Sequence, residues 1–226
     1  MCHETHDHSE HLDELCKAIA PLAARGLTPA TGGNFSVRTT PDEFSITSSG
    51  VDKAALTPKD FLTCFVKDGT LLPDAIGLPT SAGLPTSAVQ PSAETLIHAA
   101  IYSQDPTAHA VFHTHSVPAT TLSRTTAKHL HFHGYEMQKS IRGCSTHEAT
   151  LVLPLVENTQ DMEHLYHELK ASWSYFAPVP GFILKGHGLY AWGTSIFEAK
   201  RHIEGFEFLL ECELHRAKQD GDTHVR

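Results

Sequence analysis

Two short runs of alternating apolar residues, Phe35/Val37 and Phe44/Ile46, stand on either side of Thr40-Pro41-Asp42. Side chains two apart share one face of a strand, and a Pro-Asp pair between such runs is turn chemistry. This predicts a hairpin, which only antiparallel neighbours can make. A second hairpin is predicted in GFILKGHGLYAWG (181–193), turning through Gly186-His187-Gly188. Around these hairpins the apolar period becomes helical. Leu12, Leu15, Ile19 and Leu22 predict a helix over Glu10–Arg25, with Gly26 as its stop. Met162, Leu165 and Leu169 predict one over Gln160–Phe176. Ile196, Ala199, Ile203, Phe206 and Leu210 predict the last, begun at Ser195 with Glu198 completing a capping box. Ser92 is expected to cap a helix ending near Tyr102, and Thr57-Pro58 with Asp60 reads as a capped helical start. Further strands are expected at 61–66, 108–116, 130–137 and 150–156. Hairpins mixed with helices, without regular βαβ repetition, predict the α/β class with a mixed, mainly antiparallel sheet covered by helices.

The 226 residues are 40% hydrophobic, enough for one sizeable core. The expected organisation is a flexible His-rich tail over 1–11, a single domain over 12–217 and a C-terminal tail over 218–226. Lys plus Arg total 17 against 26 Asp plus Glu, a formal charge of −9 with no basic run, which argues against nucleic-acid binding. No apolar run is long enough to span a membrane, and MCHETHDHSEH lacks a signal-peptide core. Cys2, Cys16, Cys64, Cys144 and Cys212 are scattered and form no CxxC. That disfavours a disulfide framework or a cysteine zinc site and suits a reducing cytoplasm. The repeat GLPTSA-GLPTSA at 77–88 reads as a loop insertion.

Histidine is the unusual component: 18 residues, more than Lys and Arg together. His113-Thr114-His115 sets two imidazoles on one face of a strand, where they can share a metal ion. A third ligand must come from elsewhere, and His187, between two glycines in a sharp connection, is the best placed. Spacing alone leaves rivals: His129, His131 and His133 alternate in the same way. His3, His6, His8 and His11 crowd the tail, and His164 and His167 share a helix face.

TGGNFS and SITSSG flank the first hairpin. Asn34, Ser48, Ser49 and Gly50 can offer N–H and hydroxyl donors to an anion, and Lys53 can add a cation. No P-loop and no GxGxxG opening a helix is present, so nucleotide binding has no support. Glu94 in PSAETLIH and Glu136 in HGYEM are candidate acid/base groups. No GxSxG elbow and no cysteine nucleophile motif accompanies them.

The ordered set TGGNFS, SSG, PSAE, HTH and GHG resembles the class II aldolase/adducin family, over a span from about Leu12 to Leu214. The runs SSGVDKAALTPKDF, PSAETLIHAAIY, VFHTHSV, YEM, LVLPLVENT and GHGLYAWG are most similar to its dehydratase branch, which removes water from a methylthio-substituted ribulose 1-phosphate in methionine salvage. The resemblance implies a three-layer α/β/α fold and one zinc ion per subunit on His113, His115 and His187. It implies phosphate contacts from Gly33, Asn34, Ser49, Gly50 and Ser92. It sets Glu94 at the acid/base position of the sugar-phosphate aldolases and Glu136 at that of the dehydratases. A homotetramer with sites at subunit interfaces is implied too. Retro-aldol cleavage or 4-epimerisation is the alternative activity, and a non-catalytic adducin-like interaction domain is a third reading.

Overall fold

The computed structural model describes residues 2–72, 90–176 and 179–219, so the GLPTSA duplication lies outside the described residues. Eight strands form one sheet: β1 (Asn34–Thr40), β2 (Glu43–Thr47), β3 (Phe61–Phe65), β4 (Ala110–Thr114), β5 (His129–Phe132), β6 (Leu151–Val156), β7 (Gly181–Leu184) and β8 (Gly188–Gly193). Their order across the sheet is β3-β2-β1-β4-β8-β7-β6-β5. Both expected hairpins are present. Among the described strands only β6 and β7 run parallel, and a crossover carrying α4 (Met162–Ala171) and α5 (Trp173–Phe176) joins them. Parallel neighbours need a connection of that length.

Alternation along the strands makes two cores, one on each face of the sheet. Phe35, Val37, Ala110, Phe112, Leu189 and Ala191 pack under α1 (Cys2–Ala24), α3 (Val117–Leu122) and α6 (Ile196–Gln219). Phe44, Ile46, Val111, Phe182 and Tyr190 pack under α2 (Thr95–Gln104), α4 and α5. The expected stripe of α6, from Ile196 to Leu210, is buried; each of its Ile, Phe and Leu side chains contributes roughly 1.5–3 kcal/mol by leaving water. The expected α/β/α layering is what this chain folds into.

Several boundaries differ from expectation. α1 begins at Cys2, so residues of the expected tail continue the helix; polar residues there do not break it because its stabilising stripe lies further on. The strand expected over 130–137 stops at Phe132, and Glu136 lies in a helical turn, Glu136–Ser140. Gly134, at φ 82°, turns the chain between them. The single helix expected over 160–176 is two, broken at Ser172. α2 takes Glu94 as its N-cap; Ser92 instead braces the preceding turn, its carbonyl accepting from Thr95 N–H at 3.0 Å.

The register sets up the site. Asn34 pairs with His113 across β1 and β4, and His113 pairs with Tyr190 across β4 and β8. These three side chains therefore lie in a row on the α2 face, where β1 and β8 begin and β4 ends.

A three-histidine candidate metal centre

His113 is completely buried on β4, and His115 follows just past the strand's end. His187 occupies the tight turn between β7 and β8. α3 secures that turn: Thr120 Oγ1 donates to the His187 carbonyl at 3.0 Å, and Gly186 N–H donates to Ser123 Oγ at 2.9 Å. Gly188 follows because a side chain there would strike the Thr114 carbonyl and the His113 ring. The result brings His113 Nε2 to 2.8 Å from His115 Nε2 and 3.4 Å from His187 Nε2. Among the described residues this is the one group of three or more potential metal ligands within reach of one ion.

The chemistry of the three rings suits a cation. His113 Nδ1 faces the Leu189 carbonyl at 2.9 Å, an acceptor that requires a hydrogen on Nδ1. Its Nε2 lone pair then points into the cluster. Burial holds the His113 imidazole well below its usual range, with His115 and His187 adding to the effect. Burial, His187 and Lys53 push His115 down to about 4. Both are free bases at neutral pH, the form that coordinates metal. Three imidazoles without a thiolate suit zinc and similar first-row ions. Among the described residues no third ligand joins the rival pair His129 and His131, whose rings are 5.9 Å apart on the edge strand β5.

Glu94 joins this cluster. Its Oε1 is 3.4 Å from His187 Nε2, and its Oε2 accepts from Asn34 Nδ2. Asn34 Nδ2 also lies 3.0 Å from Ser92 Oγ. Glu136 lies elsewhere. Its carboxylate pairs with Lys139 Nζ at 2.5 Å and His147 Nδ1 at 3.2 Å, with the side chain 70% exposed. The Lys139 hydrogen bond leads in holding its carboxyl below the usual range.

The expected anion site is partly committed to structure. Gly33, at φ 78°, brings the chain against the His113 carbonyl, where a Cβ would clash. Ser48 N–H donates to the Asp60 carbonyl at 2.8 Å and Ser49 N–H to the Gln90 carbonyl at 3.0 Å. Those two amides are therefore used by the fold. The Ser48 hydroxyl is buried with no partner among the described residues, whereas Ser49 and Gly50 are exposed. Buried Lys53 donates to the Thr31 and Val51 carbonyls, each at 2.9 Å, and burial draws its ammonium down to about 8.

Sequence reasoning missed His98, Ser36 and Glu207. His98 and Ser36 lie behind Asn34, and fully buried His98 was hidden in the apolar run of α2. Its signal was the spacing of four from Glu94, which puts both on one helix face. Buried Glu207 of α6 accepts from Thr114 Oγ1 at 2.6 Å, bracing the residue between two of the histidines.

Residues 13–214 match the family model described as the class II aldolase and adducin N-terminal domain. The chain is 41% identical to the methylthioribulose-1-phosphate dehydratase of Pectobacterium atrosepticum, over 92% of this chain and 95% of that protein. It is 42% identical to the protein of that name from Pseudomonas syringae pv. syringae, over 89% of this chain and 92% of the relative. Among solved structures it is similar to an L-fuculose-1-phosphate aldolase from Thermus thermophilus. That match has a TM-score of 0.70 and 25% identity, covering 95% of this chain and 98% of that one. A sugar-phosphate aldolase from Thermotoga maritima shares the fold, at a TM-score of 0.62 and 19% identity over 94% of this chain and 96% of that one.

Proposed function

The chain belongs to the class II aldolase and adducin family, and from that premise we propose that it dehydrates 5-methylthioribulose 1-phosphate to 2,3-diketo-5-methylthiopentyl 1-phosphate, a step of methionine salvage. The observation that carries this reading is the near full-length similarity to dehydratases of that name, at 41–42% identity, in a chain that clusters three histidines at one point.

In this reading His113, His115 and His187 hold one zinc ion per subunit. Bound there, the ion supplies Lewis-acid stabilisation of negative charge developing on a substrate oxygen, typically worth several kcal/mol. The chain's own groups do the rest. The reaction removes the C3 proton and expels the C4 hydroxyl as water, and the resulting enol becomes the second ketone. It needs a base and an acid. Glu94, 3.4 Å from His187 Nε2, is the carboxylate at the cluster. Glu136 is the second group and the main proton carrier. Its exposure on a surface turn suits a role at the cluster of a neighbouring chain in a homotetramer. Gly33, Asn34, Ser48, Ser49, Gly50, Lys53 and Ser92 form the phosphate-binding wall. Cys16, Cys64, Cys144 and Cys212 are free, which fits a cytoplasmic enzyme. Among the described residues, no helix is long and apolar enough to cross a membrane.

The test is product identity. Zinc-loaded protein given methylthioribulose 1-phosphate should yield one product lighter by one water in mass spectrometry. Two carbon fragments would instead support sugar-phosphate aldolase chemistry, the reading favoured by the fold shared with the fuculose-phosphate enzyme.

A further inference from the structure

Behind Glu94 runs a buried chain of side chains whose hydrogens can be assigned one by one. Tyr102 Oη is 2.8 Å from Ser36 Oγ, and Ser36 Oγ is 2.7 Å from His98 Nδ1. His98 Nε2 is 2.5 Å from Asn34 Oδ1, and Asn34 Nδ2 donates to Glu94 Oε2 and lies 3.0 Å from Ser92 Oγ. Ser36, His98 and Tyr102 are essentially without solvent exposure. Burial drives the His98 imidazole down to about 3, so the ring is neutral and carries a single N–H.

A neutral imidazole in this chain allows two directions. In the first, Tyr102 donates to Ser36, Ser36 to His98 Nδ1, and His98 Nε2–H to the Asn34 carbonyl oxygen. The Asn34 amide N–H groups then face Glu94 and Ser92. In the second direction, every hydrogen reverses, and the Asn34 oxygen faces the Glu94 carboxylate. Two acceptors would then oppose each other in a part-buried setting, and Glu94 Oε2 would keep only the longer contact from Ser92 Oγ, at 3.3 Å. The placement of Asn34 Nδ2 against Glu94 Oε2 and of Asn34 Oδ1 against His98 Nε2 therefore selects the first direction.

We propose that His98 is a positioning residue: held by Ser36 as the Nε2–H tautomer, it locks the Asn34 amide so that its N–H groups clamp Glu94 against the histidine cluster. The inference deepens the dehydratase reading and rests on it, because the clamp matters for catalysis only if the cluster is the reaction centre. Asn34 thereby gains a second role, since its amide aims a carboxylate besides any contact with a phosphate.

The test combines NMR with kinetics on the zinc-loaded full-length protein. In the parent, 15N shifts of His98 should show Nε2 protonated and Nδ1 unprotonated. Ser36→Ala removes the donor to Nδ1 with little change in volume. It should give a mixture of His98 tautomers and lower kcat about tenfold, with KM for methylthioribulose 1-phosphate within about twofold. Nδ1-protonated His98 in the parent, or a Ser36→Ala protein with parental kcat, would overturn the proposal. If Ser36→Ala does not fold, the parent spectrum still decides the tautomer. A parent without dehydratase activity would reject the functional reading instead, and the NMR result would then decide the hydrogen-bond chain by itself.

Discussion

His113-Thr114-His115 and His129-Leu130-His131 have the same spacing, and both lie on or at the end of strands. Their fates differ because their strands sit differently in the sheet. β4 lies centrally, between β1 and β8, and β8 starts from the turn that delivers His187. β5 is an edge strand with His131 exposed. Burial and converging lone pairs make the first pair part of a candidate metal centre. The second pair, beside Tyr175, has no third metal-ligating side chain converging on it among the described residues. Spacing sets which side chains share a face. Position in the sheet decides what that face meets.

The sharpest way to break this contrast is to remove one ligand. His187→Ala should abolish stoichiometric zinc binding, measured by metal analysis of the purified protein, and reduce turnover to background. Zinc retained at one per chain would end the assignment of that ligand. Next in size are the two carboxylates. Glu94→Gln and Glu136→Gln should each keep zinc and lose about a hundredfold or more in kcat, the scale of a missing acid/base group. Full activity in Glu136→Gln would remove that residue from the mechanism.

A smaller effect comes from pH. His98 is neutral in the folded chain, with its pKa drawn down by burial to about 3. The unfolded chain takes up a proton near the ordinary value of about 6.5, so acid favours unfolding. The stability deficit of His98→Gln at pH 7 should therefore shrink as pH falls below 6.5. The closure should be up to about 1.4 kcal/mol per pH unit, followed by denaturant titration. A deficit independent of pH would contradict neutral burial. Smallest of all, His131→Gln should leave zinc content and kcat at parental values and stability within about 0.5 kcal/mol. Zinc loss in that variant would revive the edge-strand histidines.

Local features were legible in the sequence where one short segment carried the whole signal. The alternation of Phe35/Val37 and Phe44/Ile46 gives β1 and β2, and Thr57-Pro58 with Asp60 gives a capped turn. The stripe of α6 gives its buried face. HTH and GHG gave the histidines, but joining them took the family resemblance, because the β4–β8 pairing spans 76 residues between His113 and Leu189. The strand order was not legible for the same reason. The alternation of His131, Phe132 and His133 carries the expected strand on to Glu136; Gly134 and the Gln138 side chain, which accepts from Tyr135 N–H at 3.0 Å, redirect the chain. His98 escaped notice because a buried polar residue in an apolar helix is recognisable only once its partners, Ser36 and Asn34, are known.

If a metal held by His113, His115 and His187 is what drives the dehydration, stripping and restoring that metal tests it most directly. Chelator-treated protein should be folded and inactive toward methylthioribulose 1-phosphate, and one equivalent of zinc per chain should restore release of the dehydrated product. Undiminished dehydration by metal-free protein would contradict the account.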